Sequence, residues 1–291
     1  MMTLNPNLNS FDMPLRTFLD LAFITDHQQF CHLYYQDHHL GYVLPQWQQQ
    51  ALQDAPHLFT QEQERLVLNN LPILELEEAL QKLCHNWYQQ GILPIFRNEK
   101  FNVRSPDGHI LFTLERGAFL IFGLESQAIH LNGVTQNAEE NLFWIGKRAA
   151  HKPTAPNKLD NLVSGGIGFN ESPEQALIRE SFEEAGLPSD LAKKAKSTGH
   201  FLSFRQVQWG LHREQLFVFD IELPSHFTPT NQDGEVALFE QYPPLALVKL
   251  ILEGQFMKDA ALVTLDALMR MGALGQTPQL TTWLNRARIK K

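Results

Sequence analysis

The chain has 291 residues, of which 43% are hydrophobic and 19% charged, with a formal net charge of −8. That length suits one large domain or two ordinary ones, and the composition is globular with material for a sizeable core. The acidity argues against a nucleic-acid scavenger or a polybasic membrane binder. The two cysteines, Cys31 and Cys84, make neither a metal motif nor a disulfide scaffold, and read as buried apolar thiols in a reducing compartment. The N-terminal stretch MMTLNPNLNSFDMPLRTFLDLAF has no basic segment leading into an apolar run, and no stretch approaches transmembrane length. The expectation is a soluble, cytoplasmic protein.

Residues from about 14 to 115 read as a separate α+β unit. Phe30 to Tyr35, a polar Gln36-Asp37-His38-His39 and Leu40 to Pro45 give strand, turn and strand. A helix follows from Pro45 through Leu52, and a longer one from Leu74 to Gln90, with Leu76, Leu80, Leu83 and Trp87 at helical spacing and Gly91 as its stop. Ile95-Phe96, Phe101 to Val103 and Ile110 to Phe112 suggest strands, the last after a Pro106-Asp107-Gly108 turn. Further strands are read at Phe119 to Gly123, Ala128 to Gly133, Leu142 to Gly146 and Leu159 to Ser164. Downstream come a basic patch at Lys193-Lys194-Ala195-Lys196, strands at Phe201 to Phe204 and Gln215 to Ile221, and helices over Pro243 to Leu252 and Met257 to Met271. No internal repeat or low-complexity segment is visible.

The chain is organised around residues 165–187, a glycine loop feeding a short helix. Ser172 suits the N-cap, Pro173 the first helical position, and Gln175 completes a capping box. Gly186 can take the left-handed conformation that ends a helix, with Leu187 packing back over the last turn. Glu180 and Glu184 fall four residues apart with Glu183 between them on one side. Ile178, Phe182 and Ala185 gather on the opposite side, toward a core. Carboxylates clustered near a helix C-terminus repel one another and meet the wrong end of the dipole. A divalent cation relieves both, and all-oxygen ligands suit Mg²⁺ or Mn²⁺. Arg179, four residues before Glu183, can hold it by an ion pair.

This stretch resembles the Nudix box, G-x5-E-x7-R-E-U-x-E-E-x-G-U, in which U is a bulky aliphatic. Gly165, Glu171, Arg179, Glu180, Glu183, Glu184, Gly186 and Leu187 occupy its positions, and Ser181 departs from the aliphatic usual after R-E. Ser181 is expected at the edge of the apolar face. Ile129 to Gly133, Phe143-Trp144-Ile145, Lys147-Arg148, the run from His151 to Gly166, Arg213 to Pro224 and Asp233-Gly234-Glu235-Val236 are similar to Nudix proteins described as thiamin-pyrophosphokinase-related. Those carry an N-terminal domain of uncertain role, whose pattern Leu40 to Pro45 and Leu114 to Ala118 fit. The resemblance implies a Nudix α/β/α sandwich with a mixed sheet (116–275) after a small α+β domain (1–115), with 276–291 as a C-terminal helical tail. It also implies hydrolysis, not kinase chemistry. Members of the subgroup are associated with cleaving thiamine diphosphate and its damaged oxy or oxo analogues to monophosphates.

Hydrolysing a diphosphate needs charge neutralisation, an activated water and placement, and a carboxylate-bound metal supplies the first two. Glu180, Glu183 and Glu184 are taken as ligands, with the last two also as catalytic residues. Gly165 and Gly166 would let the backbone approach metal or phosphate without a Cβ in the way. Arg179 is assigned to orientation, and Glu171 is carried over from the box with it. Glu235, in the loop from Asn231, is a candidate further ligand or general base, or else a surface turn carboxylate like Asp233. Arg148, Lys152 and Lys158 could grip a diphosphate, or stand as solvated cations. His130, Asn132 and Trp144 could touch substrate, but such strand residues are more often structural.

Three hypotheses follow: a metal-dependent diphosphatase acting on thiamine diphosphate or a relative, a hydrolase of a nucleoside diphosphate derivative, and a non-catalytic ligand-binding regulator. The last predicts lost glutamates, and all three are present. A prenyl-diphosphate isomerase would want a cysteine in the Nudix domain, where neither cysteine falls. The partner expected is a small-molecule diphosphate. The N-terminal domain shapes the pocket, makes a homodimer, or does both.

Overall fold

The computed structural model describes residues 8–24, 26–136 and 140–289. The first seven residues, read above for a leader, and the last two of the C-terminal tail lie outside them. Helix α1 (Asp12–Ala22) places Leu15, Leu19 and Ala22 on one buried face. Strands β1 (Cys31–Tyr35) and β2 (His38–Val43) form the expected hairpin, turning through Gln36 at φ 53°. Helix α2 (Pro45–Asp54) starts on its proline as expected. Strands β3 (Phe59–Glu62) and β4 (Arg65–Leu68), not anticipated, complete a four-stranded sheet in the order β2-β1-β4-β3. Helix α3 (Ile73–Gln89) buries Leu76, Leu80, Leu83 and Trp87 and runs out before Gly91 at φ +73°. Strands β5 (Lys100–Arg104) and β6 (Ile110–Glu115) make a separate two-stranded ribbon. Ile95-Phe96 is not a strand. Phe119 to Gly123, expected as a strand, lies mostly in the short helix α4 (Ala118–Phe122), with Gly123 in the left-handed conformation at its end. A five-residue apolar run fits either element, and here the glycine cap decides.

The second unit is built on a seven-stranded mixed sheet. Its strands are β7 (Glu125–Gln136), β8 (Asn141–Arg148), β9 (Leu159–Asp160) and β10 (Val163–Gly166). Helices α5 (Pro173–Ala185) and α6 (Ser189–Ala192) follow, then β11 (Lys196–Val207), β12 (Gly210–Glu222) and β13 (Val236–Tyr242). Helices α7 (Pro244–Leu252), α8 (Lys258–Arg270) and α9 (Pro278–Ala287) end the described chain. The path is β11-β12-β7-β8-β13, with β10 paired to β7 and β9 to β8, and only β7 and β12 run parallel.

The alternation of β12 assigns its two faces. Leu216 and Val218 enter one core with α1, α7, α8 and α9, while Phe217, Phe219 and Ile221 join the core beneath α5. The result is the α/β/α sandwich. Helix α1, counted by sequence with the N-terminal domain, packs in this second unit. Its Asp12 carboxylate accepts from the backbone N–H groups of Gln279 (3.2 Å) and Leu280 (2.9 Å) at the start of α9. The core of the N-terminal domain runs from Leu33 to Leu124 and takes in α4. That domain lies directly on the sheet: a Cβ on Gly210 would stand 2.0 Å from the Leu120 carbonyl oxygen, and Arg213 donates to the Leu40 carbonyl at 3.2 Å. Among the described residues no helix is long and apolar enough to cross a membrane.

Candidate active site

Helix α5 is held at both ends by local chemistry. The Ser172 hydroxyl accepts from Gln175 N at 3.2 Å, and Ser172 N donates to the Gln175 side chain at 2.8 Å. At the other end Gly186, at φ 62°, and Leu187 donate back to Phe182 and Ser181. Three carbonyls would remain unsatisfied there, and the loop before β13 supplies them. Thr230 N and Gln232 N donate to Ala185 and Glu183 at 2.9 Å, and Asn231 Nδ2 donates to Glu184 at 3.2 Å. The same loop carries Glu235, so the fold of the helix end places it.

The buried face of α5 differs from the one expected. Ala176, Leu177, Ser181, Glu184 and Ala185 are buried, Ile178 is half-buried, and Phe182 is 58% exposed. Ser181 therefore sits in the middle of the packed face, not at its edge. Glu184 is the acidic residue of that face. It is 4% exposed and accepts from Ser164 N at 2.8 Å. Burial, reinforced by the nearby Asp160 and Glu180, raises its pKa well above the usual carboxylate range. Glu180 is also largely enclosed, and burial raises it to about 7 although Arg179 pulls the other way. Glu183 is the most open of the three.

Arg179 joins the box together. Its Nε and Nη2 grip both oxygens of Glu171 at 2.8 Å, and its Nη1 donates to Glu180 at 2.7 Å and Glu183 at 3.0 Å. Nη2 also donates to the Gly166 carbonyl at 3.2 Å. Glu171 in turn accepts from Gly168 N at 3.0 Å, and its pKa is lowered, chiefly by the Arg179 hydrogen bond. Gly165 is needed for a reason the sequence reading did not give. A Cβ there would fall 2.0 Å from the Glu180 carboxyl carbon, so the glycine makes room for the glutamate.

The three candidate cations separate. Lys152 lies against Glu235 and is near enough to ease the charge of Glu184. Arg148 is buried. It donates to Asp160 at 2.7 Å and twice to the Thr154 carbonyl, at 3.1 and 3.0 Å. It therefore anchors Asp160 and has no free face for a diphosphate. Lys158 donates to the Gly254 carbonyl at 2.6 Å, tying β9 to the turn after α7 and away from α5. Asp160 was missed altogether. It is 5% exposed and also accepts from the Ser164 hydroxyl at 2.9 Å, so it links Arg148 to the strand that holds Glu184. No spacing rule marks a lone aspartate in a two-residue strand.

His130 and Asn132 belong to a buried network with no open face. His130 Nδ1 is 2.8 Å from the Asn161 side chain, which donates to Asn132 and Thr264 at 2.9 and 3.1 Å. Trp144 is half-buried against the core beneath α5. Beside the glycine loop, a cavity of about 370 Å³ opens between Phe169 and the N-terminal residues Ile73, Lys100, Ile110 and Phe112.

A family model described as the NUDIX domain matches residues 129–262, and one described as a domain of unknown function (DUF4743) matches residues 16–126. A Nudix hydrolase of Deinococcus radiodurans is 30% identical over 128 residues, which are 44% of this chain and 70% of that protein. The chain belongs to the Nudix hydrolase family. Two Arabidopsis thaliana proteins named as chloroplastic Nudix hydrolases, 24 and 20, are 39% and 38% identical over 188 and 185 residues. Those matches take in 64% and 63% of this chain and 51% and 50% of the relatives, so the chain spans about half their length.

The Nudix box residues fit a divalent cation in their donor chemistry. Glu180 and Glu184 are enclosed carboxylates that burial holds above the usual carboxylate range, and oxygen donors suit a hard cation. The ligand atoms of Glu180, Glu183 and Glu184 are not drawn together, because Arg179 holds two of them and Ser164 the third. Among the described residues one trio does gather within 4.8 Å, His212, Glu214 and Asp259. It lies on the opposite face of the sheet, where Arg205 donates to Asp259 at 2.6 Å. With His212 protonated, two cations already balance two carboxylates, so that trio is read as an ion network and not a metal centre.

Proposed function

We propose that this Nudix protein is a metal-dependent hydrolase that cleaves the diphosphate of a small organic molecule. One observation carries the reading: α5 sets Glu180 and Glu184 beside the glycine loop as enclosed carboxylates with too little positive charge around them. Glu180, Glu183 and Glu184 would hold Mg²⁺ or Mn²⁺. A bound cation of this kind polarises phosphoryl oxygens and makes a coordinated water more acidic. The chain itself places the groups around it. Arg179 and Glu171 fix the direction in which Glu180 and Glu183 point. Glu235, delivered by the loop that caps α5, is suited to take a proton from the attacking water, with Lys152 holding its carboxylate in place. Glu184 accepts from Ser164 N, which sets it against β10 one residue before Gly165.

For the substrate we propose thiamine diphosphate or its oxy or oxo analogues, giving the monophosphate and phosphate. The reading rests on the resemblance of the sequence phrases above to the thiamin-pyrophosphokinase-related group, and on the cavity beside Phe169, which has room for a heteroaromatic ring. The proposed compartment is the cytoplasm, in keeping with two free thiols. The test is phosphate release from thiamine diphosphate, its analogues, ADP-ribose, NADH and prenyl diphosphates, with Mg²⁺ or Mn²⁺ and after exhaustive chelation. Chelation is expected to stop turnover, and Glu184→Gln to abolish it with the fold intact. Full activity in that variant removes the metal role, and a clear preference for a nucleotide rejects the thiamine assignment.

A further inference from the structure

We infer that the N-terminal domain supplies the anion-binding wall of the Nudix cleft, with Arg97 and Arg116 holding a phosphate group of the substrate. This rests on the diphosphate reading above and gives the N-terminal domain a task within it.

The two arginines are set at the cleft by a common support. Glu115 is completely buried, and its Oε1 accepts from Arg97 N at 3.0 Å and from Gly117 N at 3.2 Å. The segments that carry Arg97 and Arg116 are pressed together: a Cβ on Gly117 would stand 2.1 Å from the Ile95 carbonyl oxygen. Arg116 then lies 4.7 Å over the Phe101 ring and reaches the glycine loop, its Nη2 lying 3.3 Å from where a Cβ on Gly166 would be. Gly166 is thus approached from two sides, by Arg179 of α5 on its carbonyl and by Arg116 of the other domain.

The charges are left unmatched. Among the described residues Arg116 has one carboxylate partner, Glu99 at 3.0 Å, and both are partly exposed. The guanidinium of Arg97 has no hydrogen-bond or ion-pair partner among the described residues. Arg97 is exposed at the surface; partial burial and then the neighbouring Arg116 lower its pKa, against the pull of Glu99, Glu235 and Glu115. Arg97 therefore senses both its own domain and Glu235, on the capping loop of the Nudix domain. Two guanidinium groups close enough to repel, with a single ion pair between them among the described residues, add little to stability. A phosphate oxygen set would neutralise them, and guanidinium geometry matches it in bidentate fashion.

The test uses the full chain and methylenediphosphonate, a non-hydrolysable pyrophosphate analogue, titrated by calorimetry with Mg²⁺ present. Arg97→Gln and Arg116→Gln are each expected to weaken binding about tenfold, with a larger loss in the double variant and a shallower salt dependence. Arg116→Lys, which keeps the charge, should recover part of the affinity. On any substrate the protein turns over, the loss should fall on KM more than on kcat. Arg97 has no side-chain hydrogen-bond or ion-pair partner among the described residues to lose, so Arg97→Gln decides the matter should Arg116→Gln fail to fold. Unchanged affinity and KM in Arg97→Gln and in the double variant would overturn the inference while leaving hydrolysis standing. A wild-type chain that binds the diphosphonate through these arginines yet hydrolyses nothing would reject the enzymatic reading and keep the anion wall. A chain that neither binds nor hydrolyses overturns both.

Discussion

Glu180 occupies the space that a side chain on Gly165 would need, its carboxyl carbon only 2.0 Å from the position of that absent Cβ. The glycine belongs to β10, paired with Ile129 of β7, and cannot retreat without breaking the sheet. Gly165→Ala must therefore push Glu180 aside and disturb its contact with Arg179. Overpacking of this kind costs about 1–3 kcal/mol, so the variant should still fold with a lowered melting temperature. Turnover should fall far more than stability, on the order of 100-fold, because a small displacement of an orienting group is amplified in the rate. Thermal melting and phosphate release on the same preparation check both parts. Near wild-type turnover would show that Glu180 tolerates displacement and is not a ligand.

The ion network behind the sheet makes stability depend on pH. His212 Nε2 is 3.4 Å from Glu214 and 3.5 Å from Asp259 Oδ2, the same oxygen that Arg205 meets at 2.6 Å. Burial and Arg205 both push the imidazole toward neutrality, but the two carboxylates prevail and its pKa is raised. A raised histidine contributes stability that is complete below its unfolded value of about 6.5 and is lost as pH rises through the folded value. Asp259 is buried too, yet Arg205 and His212 hold its pKa well below the usual range, so its contribution appears above about pH 4 and fails in acid. Wild type should therefore be most stable on the acid side of neutrality. His212→Gln should flatten the alkaline decline in melting temperature while lowering stability near pH 5.5. Parallel melting curves for the two proteins between pH 5 and 9 would refute the coupling.

Much of α5 is legible in the sequence because its signals are local: Ser172 with Gln175 at the start, and Gly186 with Leu187 at the end. The helix face was misjudged at Phe182 and Ser181. Amphipathic reasoning sends the large apolar side chain inward, but here the inner face also has to present Glu184 to β10, and that rotation leaves Phe182 exposed. The parallel pairing of β7 with β12 joins residues 88 apart, such as Glu125 and Arg213, and no periodicity encodes it. Arg148 shows the same limit for the site. Proximity in sequence to the box suggests a substrate contact, while only packing reveals that Asp160 and Thr154 engage all three of its nitrogens. Arg116 was invisible as a site residue because a domain contact, not a motif, brings it to Gly166.

Ser181 offers a test of whether the site residue that breaks the Nudix pattern has a cost. Its side chain is completely buried, and its hydroxyl has no hydrogen-bond partner among the described residues. An unsatisfied buried hydroxyl destabilises by roughly 1–3 kcal/mol, and serine is also a weaker helix former than alanine. Against this stands only the small void left by removing one oxygen atom. Ser181→Ala should therefore stabilise the protein by about 1 kcal/mol, seen as a higher urea midpoint with an unchanged slope. Because Ser181 faces the sheet and Glu180 faces the cleft, turnover should be unaffected. A lowered midpoint would mean that the hydroxyl is bonded in solution, and the place to look for its partner is the backbone carbonyl one turn earlier in α5.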